Sequence, residues 1–461
     1  MTLIKSISGI RGTIGGMPNE NLTPMDVVAC AAGYATHLRQ MKVANKIVIG
    51  RDARMSGTMV SALVANTLIA MGFDVVDLGL STTPTVEIAV PLENAGGGII
   101  ITASHNPIQW NALKFLNHKG EFISAHDGNC ILENISKGDL LFSDVYSLGK
   151  YTTDDTYIQK HIDLIFGLRQ LEIQKIKEKR FKIIVDCINS TGAISVVPML
   201  QQLGCEVVAL YDDMSGNFAH NPEPLAPHLI ALTKAVTTFG ADLGISVDPD
   251  VDRLALVDEK GQLFGEEYTL VAVADYILEK NKGNTVSNLS STLALRDITL
   301  HYGGEYHAAA VGEVNVVQKM KDTNAIIGGE GNGGIILPEL HYGRDALVGI
   351  VFILSSLVRN KSTLSELKTK FPAYEMAKDK IELTPQIDVD AVLSKLQKKY
   401  ENEDINTIDG LKIILNNEWV HLRKSNTEPI IRIYTESTDV EKANILALKF
   451  KNEILDLCKI I

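Results

Sequence analysis

The sequence predicts an α/β protein of four domains, three of them related α/β units and the last a smaller C-terminal α+β unit. Three observations carry this. The chain has 461 residues, more than one hydrophobic core holds, because cores stop growing at roughly 250 to 300 residues. A strand, polar turn, helix and strand follow one another three times along it. After about residue 370 the texture changes to alternating strands and charged stretches.

The first repeat is Lys46 to Leu80, "KIVIGRDARMSGTMVSALVANTLIAMGFDVVDLGL", in which Gly72 stops the helix after Met71. The second, Lys182 to Tyr211, places Thr191-Gly192 where the first has Ser56-Gly57, and closes a helix about one turn shorter at Leu203-Gly204. The third, Asn284 to Glu313, passes through a hydroxyl-rich turn and a helix to Gly303-Gly304. Strand-helix-strand grammar is common, so the three need not share ancestry, yet either history gives the same fold class. "FPAYEMAKDKIEL", "KLQKKYENEDINTIDG" and "LKIILNNEWVHLR" make up the final unit. The expected domains are 1–150, 151–253, 254–370 and 371–461.

Composition removes several classes of function. With 56 acidic against 44 basic residues the net charge is −12, and no basic run stands out, so the footprint of nucleic-acid binding is missing. No apolar run reaches the roughly 18 residues of a membrane span, and the start shows no secretory signal, so a cytoplasmic protein is expected. Cys30, Cys130, Cys187, Cys205 and Cys458 lack CxxC spacing, which argues against a disulfide framework or a zinc site.

Four stretches could carry chemistry. In "GGGIIITASHNPIQWNALKF", Gly96 to Phe115, a buried strand opens onto Ser104, His105 and Asn106, with Lys114 beyond the turn. Ligands of open α/β sheets gather where strands end; the GxSxG elbow of serine hydrolases is absent. Taken alone the segment is equally a polar turn. In "GISVDPDVDRLALV", Asp248, Asp250 and Asp252 alternate between two apolar runs. Carboxylates about 4 Å apart repel by roughly 4 kcal/mol per pair at an effective dielectric near 20, so a hard divalent cation is the natural resident. The offsets mimic an EF-hand, but Arg253 takes the glycine position and the flanks are strands; all-oxygen ligation with room for a phosphate suits Mg²⁺.

The third stretch, "IGGEGNGGIILPELHYGRDALVG", presents Glu330 and Asn332 from a glycine-dense loop, then His341, Arg344 and Asp345. A carboxylate beside an amide reads sugar hydroxyls well, although glycine-rich turns are often only structural. The fourth, "RKSNTEPIIRIY", sets Arg423, Ser425, Asn426, Thr427 and Arg432 in and beside one turn. Two guanidiniums with hydroxyl, amide and backbone donors make a cradle for a phosphate dianion.

Together TASHNP, DPDVDR, GEGNGG and RKSNTEP resemble, in order and spacing and over essentially the whole chain, the α-D-phosphohexomutases. The resemblance implies a heart-shaped arrangement of four domains around a cleft, and an isomerase. Ser104 would be the phosphoserine, and Asp248, Asp250 and Asp252 would bind Mg²⁺ together with its phosphate. His105, Lys114 and Arg253 would lie beside the transferring group, Lys114 serving proton transfer, and Arg11 of "SGIRG" matches a cleft arginine. Glu330 and Asn332 would contact sugar hydroxyls; Arg423, Ser425, Asn426, Thr427 and Arg432 would hold the phosphate that is not reacting. "GRDARMSG", Gly50 to Gly57, matches an element whose role reads as structural.

By that resemblance the reaction is an intramolecular-type phosphoryl transfer through a sugar 1,6-bisphosphate, which also serves as activator, and the partner is a small phosphosugar, not nucleic acid or a membrane. Bacterial phosphoglucosamine mutases typically read GEQSGH in the sugar loop and phosphomannomutase/phosphoglucomutases GEMSGH. Here Gly334 stands where the loop histidine is usual, and His341 is a candidate substitute. GEGNGG followed by HxGRDA looks like the archaeal-type phosphoglucosamine mutase branch, which favours glucosamine phosphate over mannose or glucose phosphate. A non-catalytic sugar-phosphate sensor is the remote alternative, opposed by the intact Ser104, Lys114, aspartates and Arg253.

Overall fold

The computed structural model describes residues 2–6, 9–382, 388–424 and 430–458. The chain forms two compact units. One takes the residues up to Thr269 together with Asn332–Leu367; the other takes Leu270–Gly331 and the chain from Lys368 onward.

The first unit contains two sheets. The larger has seven strands in the order Ile4–Ser6, Gly9–Thr13, Trp110–Leu116, Gly97–Ile101, Lys46–Arg51, Asp74–Leu80 and Tyr151–Thr153. The last four run parallel, as crossover helices require, while Trp110–Leu116 returns antiparallel against Gly97–Ile101. Gly97–Ile101 is buried along its whole length, the pattern of a strand covered on both faces. Helix Gly57–Ala70 joins Lys46–Arg51 to Asp74–Leu80 and ends at Met71, after which Gly72 takes φ +81°.

The second sheet is ordered Leu254–Asp258, Leu243–Val247, Lys182–Asp186 and Glu206–Leu210. Its first pair is an antiparallel hairpin with Val247 opposite Leu254, so residues 248–253 are its turn; the other pairings are parallel. Helix Ala346–Asn360 is buried from Ala346 to Leu357 and starts on Asp345, whose Oδ1 accepts from the amides of Leu347 at 2.8 Å and Val348 at 3.3 Å.

In the other unit, Asn284–Asn288 pairs in parallel with Tyr306–Ala309 and with Ala325–Glu330, and helix Leu293–His301 lies between the first two in sequence. A five-stranded antiparallel sheet follows, ordered Glu375–Glu382, Ile430–Ser437, Glu418–Lys424, Leu411–Leu415 and Asp404–Asn406. Apolar positions of helices Val389–Lys399 and Val440–Cys458, among them Val392, Leu396, Phe450 and Ile454, share one core with this sheet. No helix among the described residues is long and apolar enough to cross a membrane.

Candidate active site

The Ser104 loop and the aspartate hairpin meet within the first unit. Ser104 lies three residues beyond the end of Gly97–Ile101 and is buried, with φ +49°, the left-handed region that side chains rarely adopt. Its hydroxyl donates to Asp248 Oδ2 at 2.7 Å, across 144 residues of sequence, and lies 3.3 Å from His105 Nδ1.

The hairpin turn is held from several sides. Asp248 Oδ1 accepts from the amides of Asp252 and Arg253, each at 3.1 Å. Pro249 O accepts from the hydroxyls of Ser190 and Thr191, both at 2.7 Å, so the polar turn of the second repeat supports the acidic loop. Thr83, at the start of helix Thr83–Leu92, donates its amide to Asp250 O at 2.9 Å and its hydroxyl to Asp250 Oδ2 at 2.6 Å. Val251 takes φ +62°, a backbone state a β-branched residue adopts only under constraint. Strain of this sort costs on the order of 1–3 kcal/mol and concentrates where ligands bind.

All three aspartates are fully buried, and one oxygen from each lies within 4.8 Å of the others. Lys114 Nζ donates to Asp250 Oδ2 at 2.9 Å and lies 3.8 Å from Asp252 Oδ2. Arg344 donates to Asp252 Oδ2 at 2.7 Å. Even so, Asp250 Oδ1 and Asp252 Oδ1 are buried with no hydrogen-bond partner among the described residues. Two unsatisfied carboxylate oxygens beside Asp248 and the Ser104 hydroxyl are the all-oxygen donor set that Mg²⁺ prefers, so the residues present fit that ion.

The electrostatics follow from burial and these neighbours. Desolvation, then the charges of Asp252 and Asp250, push Asp248 well above the ordinary carboxylate range. Burial acts in the same direction on Asp250, but Lys114 and Thr83 outweigh it and hold it below that range. Burial would lower Lys114; Asp250 and Asp252 reverse this and raise it, so it is an ammonium. His105 is pushed down to about 2 by burial and then by Arg253 and Arg344, which keeps its imidazole neutral. Arg253 Nη1 contacts Glu223 Oε1 at 3.3 Å, and Nη2 lies 3.5 Å from His105 Nε2. Arg11 stands exposed on Gly9–Thr13, opposite Ala112 and one pleat repeat from Lys114 on the neighbouring strand.

Gly334 makes room for Arg344. A Cβ there would sit 2.5 Å from Arg344 Cδ, and Gly333, at φ +80°, would place one 1.9 Å from Leu254 O. Asn332 Oδ1 accepts from Gly334 N at 3.2 Å and closes this turn. Thus the space beside position 334 belongs to Arg344. His341 sits instead between Glu87, 3.2 Å from Nδ1, and Asp345, 3.4 Å from Nε2; His161 Nε2 lies 2.9 Å from the same Asp345 oxygen. Burial would lower His341, but Asp345 and Glu87 carry it up to about 10.

The other expected residues lie in the second unit. Glu330 ends its strand buried, accepting from Asn288 Nδ2 at 3.0 Å and Gly312 N at 3.1 Å. Arg423 and Arg432 face each other across adjacent antiparallel strands, and Arg423 Nε lies 3.0 Å from Asp409 Oδ2. Ser425, Asn426 and Thr427 lie outside the described residues. Two contributors have no assigned role in the sequence: Arg344, visible in GRDA but without a stated partner, and Arg54 of "GRDARMSG", which binds main-chain carbonyls as well as Asp52.

Comparison with known proteins fits this geometry. Models of the phosphoglucomutase/phosphomannomutase family match in chain order: alpha/beta/alpha domain I over 4–141, domain II over 155–261, domain III over 265–374 and the C-terminal domain over 379–453. The chain belongs to this family. A phosphoglucomutase/phosphomannomutase of Thermococcus kodakarensis is 33% identical, covering 94% of this chain and 95% of the relative. A phosphoglucosamine/phosphogalactosamine mutase of Sulfurisphaera tokodaii is 31% identical, over 96% and 97%. The crystal structure of a family protein from Burkholderia thailandensis superposes with TM-score 0.85 at 24% identity, covering 98% of this chain and 96% of that one, a likeness of fold. Each of the three strand-helix-strand repeats falls within one of the three alpha/beta/alpha matches.

Proposed function

We propose that the protein is a phosphoglucosamine mutase, an isomerase that interconverts glucosamine 6-phosphate and glucosamine 1-phosphate through phospho-Ser104 and a sugar 1,6-bisphosphate. The observation that carries the mutase reading is the contact of Ser104 Oγ with Asp248 beside two unsatisfied aspartate oxygens. Phosphoryl transfer asks chiefly for positioning and charge neutralisation. Asp248, Asp250, Asp252 and the Ser104 phosphate would hold Mg²⁺, which when bound supplies positive charge to the transferring group.

The chain's own residues supply the rest. In the first half-reaction a sugar hydroxyl loses its proton as its oxygen bonds to phosphorus, and Ser104 Oγ gains one as its bond to phosphorus breaks; in the second the roles reverse, Ser104 Oγ losing its proton as it takes up the other phosphate and the sugar oxygen left behind gaining one. Lys114, held as an ammonium by Asp250 and Asp252, would give a proton to the oxygen that leaves phosphorus and be restored by the proton that the attacking hydroxyl releases. Arg253, Arg344 and neutral His105 border Ser104 and its acidic loop, and Arg11 lies on the sheet face that carries Lys114. Glu330 and Asn332 would read sugar hydroxyls. Arg423 and Arg432, paired across two strands, would grip the distal phosphate with Ser425, Asn426 and Thr427. The same reading divides the chain into domains at 1–150, 151–253, 254–370 and 371–461.

Glucosamine phosphate is favoured by the GEGNGG and HxGRDA forms and by the amino-sugar relative from Sulfurisphaera tokodaii. Phosphomannomutase/phosphoglucomutase activity is the second reading, favoured by the relative from Thermococcus kodakarensis. Side-by-side kcat/KM on glucosamine, glucose and mannose phosphates decides between them: glucosamine phosphate is expected to be the best substrate, and its ranking last would sink the assignment.

A further inference from the structure

The segment Gly50 to Gly57 grips the Ser104 loop by its main chain. Arg54 is completely buried and its guanidinium has five N–H groups. Nε donates to Asp52 Oδ2 at 3.0 Å. Nη1 donates to Pro107 O at 2.8 Å and Trp110 O at 3.0 Å; Nη2 donates to Asn106 O at 2.7 Å and to Ser104 O. The donors match the acceptors one for one, and four of the acceptors are carbonyls of a single loop.

Asp52 completes the arrangement. Its Oδ2 also accepts from the Thr102 hydroxyl at 2.6 Å, and that hydroxyl oxygen accepts from Ser104 N at 2.9 Å. Both main-chain polar groups of Ser104 are therefore tied, the N–H through Thr102 and the C=O through Arg54, back to one buried carboxylate. Ser104 needs this, because φ +49° is strained for a residue with a Cβ and a loosened loop would relax toward extended backbone and turn Oγ away from Asp248. The same segment reaches the acidic hairpin: Ala53 N donates to Ser190 Oγ at 3.3 Å, and Ser190 Oγ donates to Pro249 O.

We propose that Asp52, Arg54 and Thr102 form a brace that fixes Ser104 in its left-handed conformation and aims its hydroxyl at the acidic loop, which makes Arg54 and Thr102 positioning residues for phosphoryl transfer. The catalytic part of this rests on Ser104 being the phosphate carrier. Thr102→Val keeps the buried shape and removes the hydroxyl relay; Thr102→Ser restores it; Arg54→Lys keeps the charge and loses the fork.

The experiment pairs steady-state kinetics with hydrogen–deuterium exchange of full-length protein. Thr102→Val is expected to lower kcat about tenfold or more with KM within about twofold, and Thr102→Ser to recover most of it. Amides of residues 102–110 should exchange about tenfold faster or more in Thr102→Val and Arg54→Lys, while the strands Lys46–Arg51 and Leu243–Val247 keep wild-type protection. Wild-type kcat and loop exchange in Thr102→Val would overturn the brace, as would faster exchange spread evenly through the unit. Altered loop exchange alongside a wild-type protein that turns over no phosphosugar would leave the brace standing and remove the mutase reading.

Discussion

Two clusters of buried charge lie in the same compact unit and are completed in opposite ways. Asp248, Asp250 and Asp252 pack like charges together and leave two carboxylate oxygens without a hydrogen-bond partner among the described residues. Glu87, His341, Asp345 and His161 instead alternate acid and base at 3.2, 3.4 and 2.9 Å. These four link helix Thr83–Leu92, helix Tyr157–Phe166 and the start of helix Ala346–Asn360. The second cluster sets each acid beside an imidazole, so opposite rather than like partners meet. The first keeps buried carboxylate oxygens unmatched, and the proposed function sets a cation and a phosphate there.

The largest expected effect breaks the unfinished cluster. Asp250→Asn removes a carboxylate charge from the metal donor set and should lower kcat by about 1,000-fold; an ordinary rate at saturating Mg²⁺ would contradict the ligand assignment. Asp345→Asn strikes the finished cluster, and because it strands buried imidazoles it should cost about 3–5 kcal/mol in urea unfolding. A loss under about 1 kcal/mol would mean the alternating charges do not fasten the helices.

Mg²⁺ at a hundred times its Kd should stabilise the wild-type protein by about 2.7 kcal/mol, and Asp252→Asn should lose most of that response in a thermal melt. The pH response sharpens the contrast from the other side. His341 is raised to about 10 in the folded protein from roughly 6.5 unfolded. Its contribution is therefore fully present below about pH 6.5 and is lost as pH rises toward 10, at up to about 1.4 kcal/mol per unit. His341→Gln should flatten that decline; an equally steep fall in the variant would place the titration elsewhere. Smallest is Arg423→Ala, expected to raise KM about fivefold with kcat little changed, since the distal phosphate is bound in ground and transition states alike; an unchanged KM would remove Arg423 from the phosphate clamp.

The two segments that meet at the candidate site were legible in residue type: a serine after a buried strand and three aspartates alternating between two apolar runs. The three strand-helix-strand repeats were legible for the same reason, since each carries its own periodicity and stop signal. What stayed hidden acts through partners that carry no sequence signature. Arg54 binds main-chain carbonyls, which every residue has. Glu87, His161, His341 and Asp345 come from distant segments that only the fold brings together. Gly334 reads in the sequence as a missing histidine, whereas in the fold Arg344 fills the space beside it on its way to Asp252. The positive φ of Ser104 and Val251 is imposed by the surrounding contacts, not by local preference.

The central claim is that Ser104 carries the phosphoryl group, and intact-mass measurement after incubation with a sugar 1,6-bisphosphate and Mg²⁺ tests it most directly. The wild-type chain should gain the mass of one phosphate and Ser104→Ala should gain none. A wild-type protein that stays unmodified, or a Ser104→Ala variant that takes up phosphate equally, would contradict the account.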